Sequence, residues 1–152
     1  MTKALCSLSP ASHSDASRPN QAAESHPDCL MTAVQRYLDL MYDCDTSHFD
    51  EVFQPTAHLH GFRDGEMKAW SMEVYRDILN RRTSSKFQNI PREDEILLVD
   101  FASPTMALVK VRVRIAEGVF VDFLTWHCED GQWLITSKGF HLESAHANGW
   151  PV

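Results

Sequence analysis

"TMALVKVRVRIAEGVFVDFLTWHCEDGQWLITSKGFHLE", residues 105–143, decides the fold. Its first segment alternates with period two. Ala107, Val109, Val111, Val113 and Ile115 fall on one face, and Lys110, Arg112 and Arg114 on the other. "EG" at 117–118 and "DG" at 130–131 are short turn signals, so the stretch reads as three strands in a meander. The middle strand is apolar on both faces, with Phe120, Leu124 and Trp126 on one and Val119, Val121 and Phe123 on the other. Such a sheet must be covered twice. Helices of the same chain can cover one face, and a second copy in a symmetric homodimer the other.

Upstream, "DEILLVDFA" (94–102) reads as a further strand. "SMEVYRDILNRR" (71–82) reads as a helix capped by Ser71, with Val74, Tyr75, Ile78 and Leu79 facing inward. "TAHLHGF" (56–62), "RDGE" (63–66) and "MKAW" (67–70) read as a hairpin. "DCDTSHFDEVFQP" (43–55) holds a short helix, with Asp45 or Thr46 as cap and Pro55 as its stop. Leu30, Val34, Tyr37, Leu38 and Met41 form the apolar stripe of a first helix, entered at Pro27 and capped by Asp28. Helices come first and strands last. This order predicts an α+β fold, a long curved antiparallel sheet whose concave face is covered by the N-terminal helices. The resulting cone has an open mouth and is a natural small-molecule pocket.

The Ser-, Ala- and Pro-rich residues 1–28 read as a flexible tail, 29–143 as the domain and 144–152 as a second tail. The 152 residues suit one core. A net charge of -7 argues against a nucleic-acid partner, and no apolar run is long enough for a membrane span. The four cysteines, Cys6, Cys29, Cys44 and Cys128, have no zinc-like spacing and read as thiols of a reducing cytoplasm.

Four groups of residues could carry chemistry. His58 and His60, two apart on a strand, share a face. With Glu66 and His127 or His141 they could hold a metal, but the reading adopted is that His60 lines the pocket without one. Asp122, Lys138 and His141 lie on the last two strands. In an apolar cavity such groups have shifted pKa values suited to proton transfer, with Tyr37 or Tyr75 as donor; equally, Asp122 could form a structural cross-strand pair with Lys138 or Arg112. Phe62, Trp70, Tyr75, Phe101, Phe120, Trp126 and Phe140 supply aromatic surface for a flat ligand or for the core. The basic row containing Arg112 suits an anionic ligand, or else faces solvent or a partner subunit.

Taken together, "YLDLMYDCDTSHFDEVFQPTAHLHGF" (37–62), "DGE" (64–66) leading to "WSMEVY" (70–75), "NIPREDEILLVDFASPTMALVKVRVR" (89–114) and "FVDFLTWHCEDGQWLITSKGFH" (120–141) resemble the nuclear-transport-factor-2-like superfamily. This is the cone fold of ketosteroid isomerase and scytalone dehydratase. Within it the chain resembles the "putative lumazine-binding" group. The resemblance matches Asp122, Lys138 and His141 to that group's pattern, whereas Gln54 stands where histidine is more usual. It implies a small-molecule pocket and a flat, lumazine-like ligand. The function expected is a cofactor-free lyase or isomerase. Its proton-transfer residues would be His60, Asp122 and His141, and its ligand-binding residues Tyr37, Trp70, Tyr75, Lys138, Arg112 and Trp126, with no metal. The alternatives are a non-catalytic binder of a heteroaromatic ligand, or an interaction module with a vestigial cavity.

Overall fold

The structure is a computed structural model and describes residues 25–145. The tails expected at the termini lie largely outside the described residues. Helix α1 spans His26–Asp43. It starts earlier than the sequence suggests because Ser25, not Asp28, is its cap. The Ser25 side chain accepts from the Asp28 backbone N–H, and its hydroxyl donates to the Asp28 carboxylate at 2.6 Å. The helix ends at Cys44 in the left-handed region. Its apolar stripe, including Leu30, Val34, Tyr37, Leu38 and Met41, is buried, each side chain contributing about 1.5–3 kcal/mol.

A 3₁₀ turn over Thr46–Glu51 follows, capped by Asp45. Strand β1 covers Phe53–Arg63, so Pro55 sits inside a strand rather than ending a helix. It falls where the pairing of β1 is interrupted, between Phe53 and His58, and its missing N–H costs no ladder bond there. Strand β2 (Glu66–Ser71) returns through an Asp64–Gly65 turn with both residues at positive φ. Helix α2 (Met72–Arg81) is capped by Ser71, as expected. It buries Met72, Tyr75 and Leu79, while Val74, expected to face inward, is exposed.

Strands β3 (Asp94–Ser103), β4 (Met106–Ile115), β5 (Gly118–Glu129) and β6 (Gln132–Ala145) complete a six-stranded sheet of order β2-β1-β6-β5-β4-β3. The β3 to β6 meander is antiparallel as expected, but β1 runs parallel to β6. The sheet is curved and unclosed, and α1 and α2 pack on one face of it. That face carries Ala107, Val109, Val111 and Val113 of β4 together with Leu124, Trp126, Trp133 and Ile135, all buried.

A bulge in β6 sets what the last strand shows to the cone. Trp126 pairs with Ile135 and Thr125 with Ser137, leaving Thr136 as the extra residue. The Thr136 hydroxyl lies 2.7 Å from His127 Nδ1 and 3.4 Å from the Thr125 carbonyl. Trp133 and Ile135 face the helices before the bulge, and Lys138 and Phe140 face the same way after it.

Candidate active site

A row of cross-strand neighbours builds the floor of the cone. Trp70 of β2 pairs with Leu59 of β1, Leu59 with Lys138 of β6, and Lys138 with Leu124 of β5. One step towards the mouth, Gly61 pairs with Phe140 and Phe140 with Asp122. Leu59, Trp70, Asp122, Lys138 and Phe140, with Met41 of α1 and Tyr75 of α2, line a cavity whose mouth is formed by Arg63, Arg82 and Glu117. The open space is narrow, about 30 Å³, room for a water or two. Phe120 and Phe140 line one wall, and Trp70 stacks on Phe140 with ring centroids 5.8 Å apart and planes at 11°. Gly61 permits this wall, since a Cβ there would lie 2.5 Å from the Phe140 ring.

The polar part of the site is a buried chain. The Tyr37 hydroxyl donates to Asp122 Oδ2 at 2.5 Å. Lys138 Nζ stands 3.4 Å from the same oxygen and donates to the Tyr75 hydroxyl at 3.0 Å. The Tyr75 hydroxyl in turn lies 3.4 Å from Met41 Sδ. Lys138 also sits over both tyrosine rings, 5.2 Å from the centroid of Tyr37 and 5.0 Å from that of Tyr75. Asp122 is 1% exposed and Lys138 6%, so the two charges are out of water. Asp122 Oδ1 is buried with no partner among the described residues.

Burial, and then the Asp122 charge, push the Tyr37 pKa well above its ordinary value, so Tyr37 is a neutral donor. Burial works to lower the Lys138 pKa, but Asp122 and Tyr75 outweigh it and the pKa is raised. Lys138 is therefore an ammonium held against a carboxylate in an apolar setting. Burial also pushes up the Cys44 thiol, against the opposing charge of Arg82.

Tyr75, Trp70, Asp122 and Lys138 thus line one cavity, and Tyr37, expected to bind the ligand, joins them only through its hydrogen bond to Asp122. The other expected site residues do not. His60 is exposed on the outer face, in a row with Gly139 and Phe123, because it alternates with the inward Leu59. His141 pairs with Val121 and is exposed: it lies three residues beyond Lys138 with no bulge between, so the two must face opposite ways. Arg112 is also on the outer face, held by Glu95 at 2.9 Å and Glu143 at 2.8 Å. Trp126 is fully buried core rather than cavity wall, and Phe62 and Phe101 are exposed. His58 and His60 have ring centroids 6.4 Å apart, and among the described residues no group of three or more His, Cys, Asp or Glu is placed to hold a metal ion. Arg63, Arg82 and Glu117 were not anticipated. Their only signal was position, at the ends of a strand, a helix and a hairpin turn.

Residues 25–141 match the family described as "Putative lumazine-binding". The chain belongs to this family. Its fold is the nuclear-transport-factor-2-like cone. The structure of an NTF-2 like protein of unknown function from Silicibacter pomeroyi superposes with a TM-score of 0.67 at 23% identity, over 78% of this chain and 96% of that one. A ketosteroid isomerase-like protein from Erwinia carotovora atroseptica gives 0.59 at 12% identity, over 76% and 95%. Among curated proteins, "Aldolase FrzH" of Cladobotryum sp. is 29% identical over 119 residues, covering 77% of this chain and 91% of that protein. The family assignment accords with a small-molecule site in the cone. No helix among the described residues is long and apolar enough to cross a membrane.

Proposed function

We propose that this family member is a cofactor-free enzyme of carbonyl chemistry, a lyase or isomerase that removes a proton next to a carbonyl group. The observation that carries this reading is the buried Tyr37–Asp122–Lys138–Tyr75 chain at an apolar cavity. A buried ion pair is a poor device for stability, since a well-packed apolar pair of similar volume does as well or better. Its place at a cavity is better explained by chemistry.

In the reaction proposed, Lys138 donates a hydrogen bond to the substrate carbonyl oxygen. Asp122 takes the proton from the adjacent carbon, and that C–H electron pair becomes an enolate. The ammonium of Lys138 and the hydroxyl of Tyr75 hold the developing negative oxygen. Tyr37 fixes Asp122 through Oδ2, leaving Oδ1 as the proton acceptor. Returning the proton to a different carbon makes an isomerase. Addition of the enolate to an aldehyde, or its reverse, makes an aldolase, the activity named for the Cladobotryum relative. The proton-transfer residues are thus Asp122, Lys138 and the tyrosines rather than His60 and His141.

A second reading is a binder of a flat heteroaromatic ligand. The parallel stack of Trp70 on Phe140 favours it. Deuterium uptake from D₂O into small ketones and 2-oxo acids, followed by proton NMR, separates the two. Exchange catalysed by the wild type and lost in Asp122→Asn supports the enzyme. Saturable binding of aromatic ligands without exchange supports the binder.

The working form proposed is a cytoplasmic homodimer joined through the outer sheet face, where Phe62, Leu98 and Phe123 are exposed.

A further inference from the structure

The mouth of the cavity carries a charge arrangement that the proton-transfer chain does not use. Arg63 ends β1, Arg82 follows α2, and Glu117 stands in the β4–β5 turn. Glu117 Oε1 is shared by both arginines, at 3.4 Å from Arg63 and 3.8 Å from Arg82. Both spacings exceed the roughly 2.7–2.9 Å of a charge-assisted hydrogen bond. One carboxylate thus faces two guanidiniums and grips neither. Arg81 borders the same opening from outside, on a shelf it shares with Arg63, Arg82 and Glu117. Three positive groups against one negative make this a basic spot on a protein of net charge -7. Arg82 has a side chain only 13% exposed, and its charge acts on Tyr37 and Lys138 inside the cone.

So buried a charge is costly without partners; here they are the Cys44 side chain and the distant Glu117 carboxylate, a weaker set than a bound carboxylate would supply. A cationic rim above an apolar, aromatic wall and a polar floor fits one type of molecule. We infer that the substrate is an organic anion, a carbonyl compound whose carboxylate is held by Arg82 and Arg63 at the mouth while its apolar part lies against Phe120 and Phe140, side chains that must part to widen the open space of about 30 Å³. This inference rests on the enolisation reading for the carbonyl and adds the anionic group. Glu117 acts as a gate on the rim. It faces both arginines without gripping either, and yields them to the ligand. The basic row of β4 cannot serve this role, because Arg112 is held by Glu95 and Glu143 on the outer face.

The test uses phenylpyruvate and its methyl ester as a matched pair, with binding measured by calorimetry and exchange of the protons next to the ketone by NMR. The acid is expected to bind about tenfold or more tightly than the ester, with the preference shrinking as salt is added. Arg82→Gln and Arg63→Gln each reduce the preference, and Glu117→Gln enlarges it. Two arginine variants guard against one of them failing to fold, which circular dichroism would reveal. Equal affinity for acid and ester, or binding of neither, overturns the inference. The two readings fail separately. Acid preference without catalysed exchange leaves the rim standing and removes enolisation. Exchange of acid and ester alike keeps enolisation and removes the rim.

Discussion

Asp122 and Lys138 are not direct cross-strand partners, yet their charged ends meet. Asp122 sits opposite Phe140 and Lys138 opposite Leu124, and the side chains close the diagonal to 3.4 Å on the helix-facing side of the sheet. The pair is fixed from above by Tyr37 of α1 and Tyr75 of α2. The helices therefore do more than cover the sheet, since each supplies one hydroxyl to the pair.

Breaking the pair from either side leaves an uncompensated buried group. Lys138→Met and Asp122→Asn are each expected to cost about 3–5 kcal/mol of stability. The double variant Asp122→Asn/Lys138→Met is expected to cost less than the sum of the single changes. Urea unfolding of the four proteins measures this coupling. Additive costs would show that the two charges do not depend on each other.

Tyr37→Phe removes the hydroxyl that donates to Asp122 Oδ2. A loss of about 1–3 kcal/mol is expected, together with slower enolisation. The wild type also has a characteristic alkaline limit. Tyr37 and Lys138 both have raised pKa values in the folded protein. Their contributions are present below their ordinary values of 10.0 and 10.5 and are lost as pH rises through the higher folded values. Thermal melts between neutral pH and about pH 11 should show stability falling above about pH 10. The fall should be shallower in Tyr37→Phe, and an equal slope would remove Tyr37 from the account.

His60→Ala and His141→Ala serve as controls at exposed positions. Both are expected to leave proton exchange unchanged and stability within about 0.5 kcal/mol. A large loss of exchange in either would require that histidine to reach the substrate, which the present facing of β1 and β6 forbids.

Gly61→Ala tests the aromatic wall. The added methyl carbon would stand 2.5 Å from the Phe140 ring, so the ring must move. The expected outcome is a stability loss of about 1–3 kcal/mol and weakened aromatic binding. Unchanged binding would show that the Trp70–Phe140 stack is not a ligand surface.

Phe123→Glu tests the assembly. Phe123 lies on the outer face next to Lys110, whose ammonium is 5.2 Å from its ring centroid. Sedimentation should show a dimer for the wild type and a monomer for Phe123→Glu. A monomeric wild type would mean that the exposed apolar groups serve another purpose.

The fold was legible because its signals are local and repeated. The alternation of β4, the Asp–Gly turns and the Ser71 cap each point to the same arrangement, and the structure repeats them. The parallel pairing of β1 with β6 was not legible, because it joins segments far apart in the chain and no turn encodes it. The site was half legible. Tyr37, Tyr75, Asp122 and Lys138 could be named as polar groups in apolar strands and helices. His60 and His141 were misplaced because histidine chemistry was allowed to outweigh strand parity. Lys138 and His141 cannot share a face without a bulge between them. The bulges lie outside that span, at Thr136 before it and Glu143 beyond it, and nothing in "WLITSKGF" announces the first. Arg63 and Arg82 escaped notice because their role depends on three element ends meeting at one opening.

The Thr136 bulge has an evolutionary side. Strand β6 carries two alternative sets of chemistry on its two faces, Lys138 and Phe140 on one and Ser137, Gly139 and His141 on the other. Smoothing the strand, with Thr136 taken into regular alternation, would turn the second set towards the helices and send the lysine to solvent. A slip of one residue in register beyond Ile135 would therefore exchange a lysine-centred cavity for a histidine-centred one at unchanged chain length. Within such a family, substitutions that keep or remove this bulge are where a change of reaction should be sought.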